Sequence, residues 1–211
     1  MKTRFLQLAL ATILCASLWS CEKEKITKTD DGWVDLGLPS GLLWASCNVG
    51  AEKPQDYGDY FAWGETKPKA NYTEASYNYR DIYDGSNDWA KTLLPSDDAA
   101  TANMGAPARM PTKEEWEELE NYCESEWVKY KGKEGRKFTG PNGNSLFLPA
   151  AGYRDGSSLY RDGTNGTYWS LSLDTDNPSS AWSMDFYSDR QYVDNYYRYY
   201  GFSVRAVRSQ N

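Results

Sequence analysis

The chain has 211 residues, 40 % of them hydrophobic and 15 % aromatic, enough for one domain with a sizeable core. Its 30 acidic against 23 basic residues leave a net charge of −7, which argues against a nucleic-acid partner, because that affinity rests largely on phosphate neutralisation. There is no histidine, which excludes imidazole zinc sites and removes the usual base of nucleophile triads.

Lys2 and Arg4 precede an apolar run from Phe5 to Leu18. That run is too short for an ordinary membrane-spanning helix and has the layout of a secretory signal. It ends in Leu18-Trp19-Ser20-Cys21, which resembles a bacterial lipobox. Residues 1–20 are therefore predicted to be a lipoprotein signal peptide, Cys21 the lipidated residue, 21–31 a polar tether and 32–211 a single domain. The expected location is the cell envelope, as a surface-exposed outer-membrane lipoprotein. Without the signal, 211 − 20 = 191 residues remain, with 23 − 2 = 21 basic against 30 acidic. No polybasic patch supplements the anchor, so the lipid alone must hold the chain to the membrane. Cys15 leaves with the signal, and the exported domain keeps Cys47 and Cys123. These are expected to form a disulfide, which would stabilise by on the order of 4 kcal/mol in the chain-entropy model. Two separate buried thiols are the alternative.

Trp33 to Gly50 reads as two short strands joined by the turn residues Pro39-Ser40-Gly41. Residues 51–108, rich in Gly, Pro, Asn, Asp and aromatics, read as ordered loops with short elements such as Tyr60 to Trp63. Thr112 with Glu115 forms a capping box, and Trp116, Leu119 and Cys123 then share one helical face. Strands are expected at Ser145–Leu148, Thr167–Ser172, Ala181–Tyr187 and Gly201–Arg208. Within the third, Trp182, Met184 and Phe186 alternate with Ser183 and Asp185, which predicts one buried face. The fold class expected from this order is α+β, with short antiparallel strands, one or two helices and long ordered loops.

Candidate chemistry is sparse. Asp56, Asp59 and Glu65 lie among aromatics and Asp97 adjoins Asp98, but nothing sets the separation of about 5–10 Å that a glycosidase pair needs. Asp174-Thr175-Asp176-Asn177 and Asp162-Gly163-Thr164-Asn165-Gly166 offer oxygen ligands and leave a structural Ca2+ open. Neither has EF-hand spacing, and turn formation accounts for both. No metal site, catalytic residue or other cofactor is assigned.

Several segments resemble Bacteroidetes envelope lipoproteins of the "Fibrobacter succinogenes major paralogous" domain type. They are VDLGLPSGLLWASCNVGA from Val34, DYGDYFAWGET from Asp56, RMPTKEEWEEL from Arg109, LFLPAAGYR from Leu146, YWS from Tyr168 and GFSVRAVR from Gly201. The resemblance implies a C-type-lectin-like domain of the branch shared with formylglycine-generating enzymes, in which Trp33–Leu36 would pair with Phe202–Val207. The reactive cysteine pair of those enzymes is missing, as no cysteine follows Cys123. The Glu-Pro-Asn, Gln-Pro-Asp and Trp-Asn-Asp motifs of calcium-dependent lectins are missing too.

Gln191 to Arg205 (QYVDNYYRYYGFSVR) resembles the variable region of proteins diversified by retroelements. Selective replacement of adenine in asparagine codons leaves tyrosine, aspartate and asparagine. Seven of the nine residues from Tyr192 to Tyr200 belong to that trio, and five of the chain's 17 tyrosines lie there. Tyrosine brings a large contact area for two side-chain torsions, plus a hydroxyl. The expected ligand-binding residues are Tyr187, Asp189, Tyr192, Asp194, Asn195, Tyr196, Tyr197, Tyr199 and Tyr200. The expected function is a non-catalytic, adhesin-like or receptor-like surface lipoprotein that binds a protein or glycan. The alternatives are a carbohydrate-active enzyme using paired carboxylates and a structural component of a surface assembly.

Overall fold

This computed structural model describes residues 26–27, 30–78, 83–86 and 91–210. The signal segment and Cys21 lie outside those residues. The described residues form β1 (Trp33–Asp35), β2 (Leu43–Ala45), α1 (Ala99–Met104), α2 (Lys113–Tyr122), β3 (Glu124–Tyr130), β4 (Lys133–Thr139) and β5 (Ser145–Pro149). They continue with β6 (Tyr153–Asp155), β7 (Ser158–Tyr160), β8 (Gly166–Leu173), β9 (Ser180–Phe186), β10 (Gln191–Tyr197) and β11 (Val207–Arg208). No described helix is long and apolar enough to cross a membrane.

The expected α+β, C-type-lectin-like architecture is corrected. The chain is mostly β, about 37 % strand against 11 % helix, in four small antiparallel sheets. Their orders are β1-β2-β11, β3-β4-β5, β8-β9-β10 and the hairpin β6-β7. The first and last strands do not pair with each other: both flank β2, with Val34 and Val207 opposite Trp44. Of the stretch expected as the last strand, Val207–Arg208 forms the strand. Phe202 and Ser203 make isolated bridges to Phe61 and Tyr168.

The capping box forms at α2. The Thr112 hydroxyl accepts from Glu115 N at 3.2 Å, and the Glu115 carboxylate accepts from Thr112 N at 2.9 Å. Two otherwise orphaned amides are satisfied in this way. Trp116 and Leu119 then bury their side chains with Trp44, Phe138, Leu148, Tyr168 and Met184. A second core lies on the other side of the β8-β9-β10 sheet, around Trp63, Trp169, Phe202, Val204 and Ala206. The three indoles that cross this region each donate to a carbonyl: Trp116 to Trp169, Trp169 to Phe61 and Trp63 to Ser170. Covered on both faces, β9 buries Ser183 and Asp185 as well as Met184 and Phe186. The one-face expectation fails there because packed side chains lie against both faces of the sheet, Ala181 in one core and Met184 and Phe186 in the other.

The expected disulfide is also corrected, since Cys47 and Cys123 are both free thiols. Cys123 caps the C-terminus of α2 and joins the core under it, where burial pushes its pKa up to about 12. Cys47 sits past β2, its Sγ 3.6 Å from Ser46 Oγ. Arg205 is fully buried and held without a carboxylate. Its Nε and Nη2 donate to Asn48 Oδ1 at 3.0 and 2.7 Å, Nη1 to the Ala45 carbonyl at 2.9 Å and Nη2 to the Phe147 carbonyl at 3.1 Å.

Candidate functional site

A cleft of about 220 Å³ opens where β6, the turn after β7, β8, β9 and β10 meet. It is lined by Tyr153, Arg161, Asn165, Thr167, Asp185, Tyr187, Tyr196, Tyr200 and Phe202. Register explains the convergence. Thr167 and Tyr192 both stand opposite Asp185, so these three side chains share one face of the sheet. Tyr196 lies on that face four residues beyond Tyr192, and its hydroxyl donates to Asp185 Oδ2 at 2.8 Å.

Two arginines fix this geometry from behind. Arg136 on β4 donates through Nη2 to the carbonyls of Tyr187 and Arg190 at 2.8 and 3.3 Å, and through Nη1 to Gln191 Oε1 at 3.0 Å. It therefore clamps the β9–β10 hairpin, whose turn closes with Tyr187 N on Arg190 O at 2.9 Å. Arg198 is buried over Trp63 and Tyr77 and donates to the Tyr83 carbonyl at 2.8 Å, anchoring the turn that follows β10. Reciprocal bonds between Arg154 and Gly201, at 2.8 and 2.9 Å, tie that turn to β6. Gly201 is needed there, because a Cβ would stand 2.7 Å from the Tyr72 ring.

The floor is polar and buried. Asn165, Thr167 and Asp185 are 1 %, 1 % and 2 % exposed. Asp185 Oδ1 accepts from Asn165 Nδ2 at 2.7 Å, and Oδ2 accepts from Tyr196 and, at 3.5 Å, from Thr167. All three partners are neutral. Burial therefore dominates and pushes the Asp185 carboxyl up to about 6, against the lowering effect of its hydrogen bonds. Burial likewise raises Tyr196 well above its ordinary value, and the Asp185 charge adds to that.

The walls are aromatic and continue outside. Tyr200 stacks on Phe202 with centroids 6.0 Å apart, and Tyr196 meets Phe202 edge-on at 5.4 Å. From Tyr200 a ribbon of rings runs both ways. In one direction it reaches Tyr153 and then Tyr160, and in the other Tyr199 and then Tyr197. Its two ends are open to solvent, with Tyr160 46 % and Tyr197 50 % exposed. At the mouth, Arg161 Nη1 donates to the Tyr187 hydroxyl at 3.0 Å. The Arg161 backbone is left-handed, with φ 57°, a conformation that costs a non-glycine residue roughly 1–2 kcal/mol.

Of the residues expected to bind ligand, Tyr187, Tyr196 and Tyr200 line the cleft, and Tyr197 and Tyr199 extend its rim. Tyr192 borders the floor beside Asp185. Asp194 stands on the same face between Tyr192 and Tyr196, opposite Ser183 and outside the cleft lining, whereas Asp189 and Asn195 lie elsewhere. Asp189 is exposed in the hairpin turn and pairs with Arg190 at 3.5 Å. Asp194 accepts from Asn195 N at 2.9 Å, and Asn195 stands opposite Trp182 on the far face of the sheet. Sequence reasoning named Asn165 only as a turn or Ca2+-loop residue and Asp185 only as a residue of a strand's polar face, and it did not bring them together with Thr167 as one site. The available signal was Thr167 and Asp185 as polar side chains in otherwise apolar strands, with Asn165 just before the first of them.

Glu65, Asp97, Asp98 and Asp174 hold partners away from the cleft, Asp97 accepting from the Tyr83 hydroxyl. Glu65 pairs with Lys69 at 2.8 Å and accepts from Asn78. Asp98 caps α1 and accepts from Met110 N at 3.0 Å. Asp174 closes a turn onto Asp176 N at 3.1 Å, and Thr164 closes another onto the Arg161 carbonyl at 2.9 Å. Among the described residues, no group of three or more His, Cys, Asp or Glu is placed to hold a metal ion.

Residues 118–207, which include the whole cleft lining, match a family described as a domain of unknown function (DUF8237). No curated protein and no solved structure matches the chain.

Proposed function

We propose that this protein is a non-catalytic, lipid-anchored binding protein of the bacterial cell surface that engages its ligand through the cleft and its tyrosine ribbon. One observation carries the reading: a row of five tyrosines in ring-to-ring contact is held on a buttressed scaffold with both ends in water. Large aromatic rings in water are unfavourable unless something covers them, and tyrosine loses little side-chain entropy when it is covered. The buttressing by Arg136 and Arg198 means that the surface is pre-formed, which lowers the ordering cost of association. The envelope location and the anchor at Cys21 rest on the signal-like segment and the lipobox-like motif. Diversification by a retroelement would act on the rim most directly, since Tyr197 and Tyr199 change there without disturbing the floor.

The test is a screen of the lipid-free domain against arrayed surface glycans and envelope proteins. The variant Tyr160→Ala/Tyr197→Ala/Tyr199→Ala is run beside Met104→Ser, which alters an exposed apolar residue of α1 outside the ribbon. The expected result is a ligand whose affinity falls at least tenfold in the first variant and is unchanged in the second. A ligand bound equally by both would remove the ribbon from the binding surface.

A further inference from the structure

The hydrogen-bonding capacity of the cleft narrows what can enter it. Asn165 Nδ2 has two N–H groups, and both are used, on Asp185 Oδ1 at 2.7 Å and on the Phe186 carbonyl at 3.1 Å. The single Thr167 hydroxyl proton is shared between Asn165 Oδ1 at 3.0 Å and Asp185 Oδ2 at 3.5 Å, and that of Tyr196 goes to Asp185. The floor is left with acceptor lone pairs only: those of the carboxylate, Thr167 Oγ1 and Asn165 Oδ1. At the mouth the balance reverses. Arg161 keeps donors beyond the one given to Tyr187, and the Tyr187 hydroxyl, which accepts from Arg161, keeps its proton to give.

A ligand must therefore donate at its inner end and accept at its outer end, while presenting apolar faces to the rings of Tyr153, Tyr196, Tyr200 and Phe202. A simple ammonium ion donates everywhere and would meet the Arg161 charge. A carboxylate accepts everywhere and would meet Asp185. A ring bearing several hydroxyls does both, because each hydroxyl donates and accepts, and its C–H faces lie flat on aromatic walls. At about 220 Å³ the cleft is smaller than the roughly 300–1,000 Å³ of sites for drug-sized molecules, which suits one such ring.

We propose that the cleft is a carbohydrate subsite that holds a single neutral sugar ring by its hydroxyls, with further rings of the same glycan stacking along the Tyr199–Tyr197 or Tyr153–Tyr160 arm. This rests on the binding reading above and names its ligand class. The Asp185 carboxylate and Thr167 Oγ1 accept from the sugar hydroxyls, and charge-assisted bonds of that kind are the strong ones.

The experiment titrates methyl glycosides of glucose, galactose, mannose and N-acetylglucosamine into the isotopically labelled domain. Tetramethylammonium and acetate serve as the cationic and anionic probes. The expected result is that at least one glycoside saturably shifts resonances of Tyr187, Tyr196 and Tyr200, whereas neither ion does. Asp185→Asn and the near-isosteric Thr167→Val should each weaken that glycoside at least tenfold, with the folded spectrum retained in at least one of them. Saturation by tetramethylammonium or acetate instead, glycoside affinity indifferent to both variants, or no glycoside shift would overturn the proposal. Failure here leaves the broader reading standing if a protein ligand still depends on Tyr160, Tyr197 and Tyr199. If that dependence is lost as well, both fall.

Discussion

Two buried charges in this molecule are treated in opposite ways. The Arg205 guanidinium is surrounded by Asn48 and the carbonyls of Ala45 and Phe147, to which it donates four hydrogen bonds, and it has no route to water. The Asp185 carboxylate is nearly as deep, yet its three donors are neutral and its remaining lone pairs face a cleft. A closed shell of dipoles around a buried charge is a structural knot. An incomplete one that opens onto aromatic walls is a place where a second molecule can finish the job. The difference locates the site better than exposure does, because Arg205 and Asp185 have almost the same burial.

The largest expected effect lies on the closed side. Arg205→Met keeps the volume but leaves Asn48 Oδ1 and two buried carbonyls without donors. Each orphaned acceptor costs about 1–3 kcal/mol, so the loss should be on the order of 3 kcal/mol or more. Urea unfolding at an unchanged m value measures it. A loss below about 1 kcal/mol would mean that the Arg205 shell is not the knot described, and the contrast would break.

Asp185→Asn should move stability the other way. The folded-state carboxyl titrates at about 6 against an ordinary 3.8, so the folded protein binds this proton more tightly than the unfolded chain does. The stabilisation is complete below about pH 3.8 and is lost as pH rises through about 6. The shift of roughly two pKa units corresponds to about 3 kcal/mol at neutral pH. Removing the charge should return most of it, making Asp185→Asn more stable than the native protein near pH 7.5 and equal to it near pH 4. Asp194, Tyr187, Tyr192, Tyr196 and Arg161 are the titratable neighbours, so the variant and the native protein must be compared across the same pH series. Equal stability at both pH values would show that the carboxylate is already compensated and that the floor is closed like the Arg205 shell.

Tyr196→Phe sharpens the same contrast more gently. It removes one donor from a buried carboxylate, which should cost about 1–2 kcal/mol at neutral pH and drive the Asp185 pKa still higher. Carbon-detected NMR titration of the Asp185 carboxyl reads the shift directly. A fall in that pKa would mean that the tyrosine hydroxyl does not serve the charge.

Which parts of this were legible beforehand follows from what kind of signal each part carries. The helix at Lys113–Tyr122 was readable because its cap and its apolar face are local, three to seven residues apart. Strand β9 was readable as a strand from the alternation of Trp182, Met184 and Phe186 with Ser183 and Asp185, although both faces proved largely buried. The β3–β4 hairpin was not, because its strands are dominated by charged and polar residues. It is held by the Trp127–Arg136 and Val128–Gly135 pairings and a left-handed turn at Lys131 and Gly132. The tyrosine tract was visible as composition, but which rings face out depends on β10 pairing with β9. The floor was invisible because Asn165 and Asp185 meet only through strand register, and a buried aspartate looks like a solvated one until its neighbours are known.

Tyr197→Ala should have the smallest effect on stability and tests whether the rim belongs to recognition at all. Its ring is half exposed, stacks at 5.5 Å on Tyr199 with an interplanar angle of 10°, and lies outside the cleft lining. Surface truncations of this kind change stability by about 0.5 kcal/mol or less. The backbone is already fixed by the pairing with Ser180 and by the Arg198 anchor next to it. If rim and scaffold are separate, the melting temperature stays within about 2 °C while the affinity for any ligand that spans the ribbon drops at least tenfold. If the melting temperature falls by several degrees instead, Tyr197 is part of the packing. The exposed arm would then end at Tyr199 and the surface left for a partner would be the cleft alone.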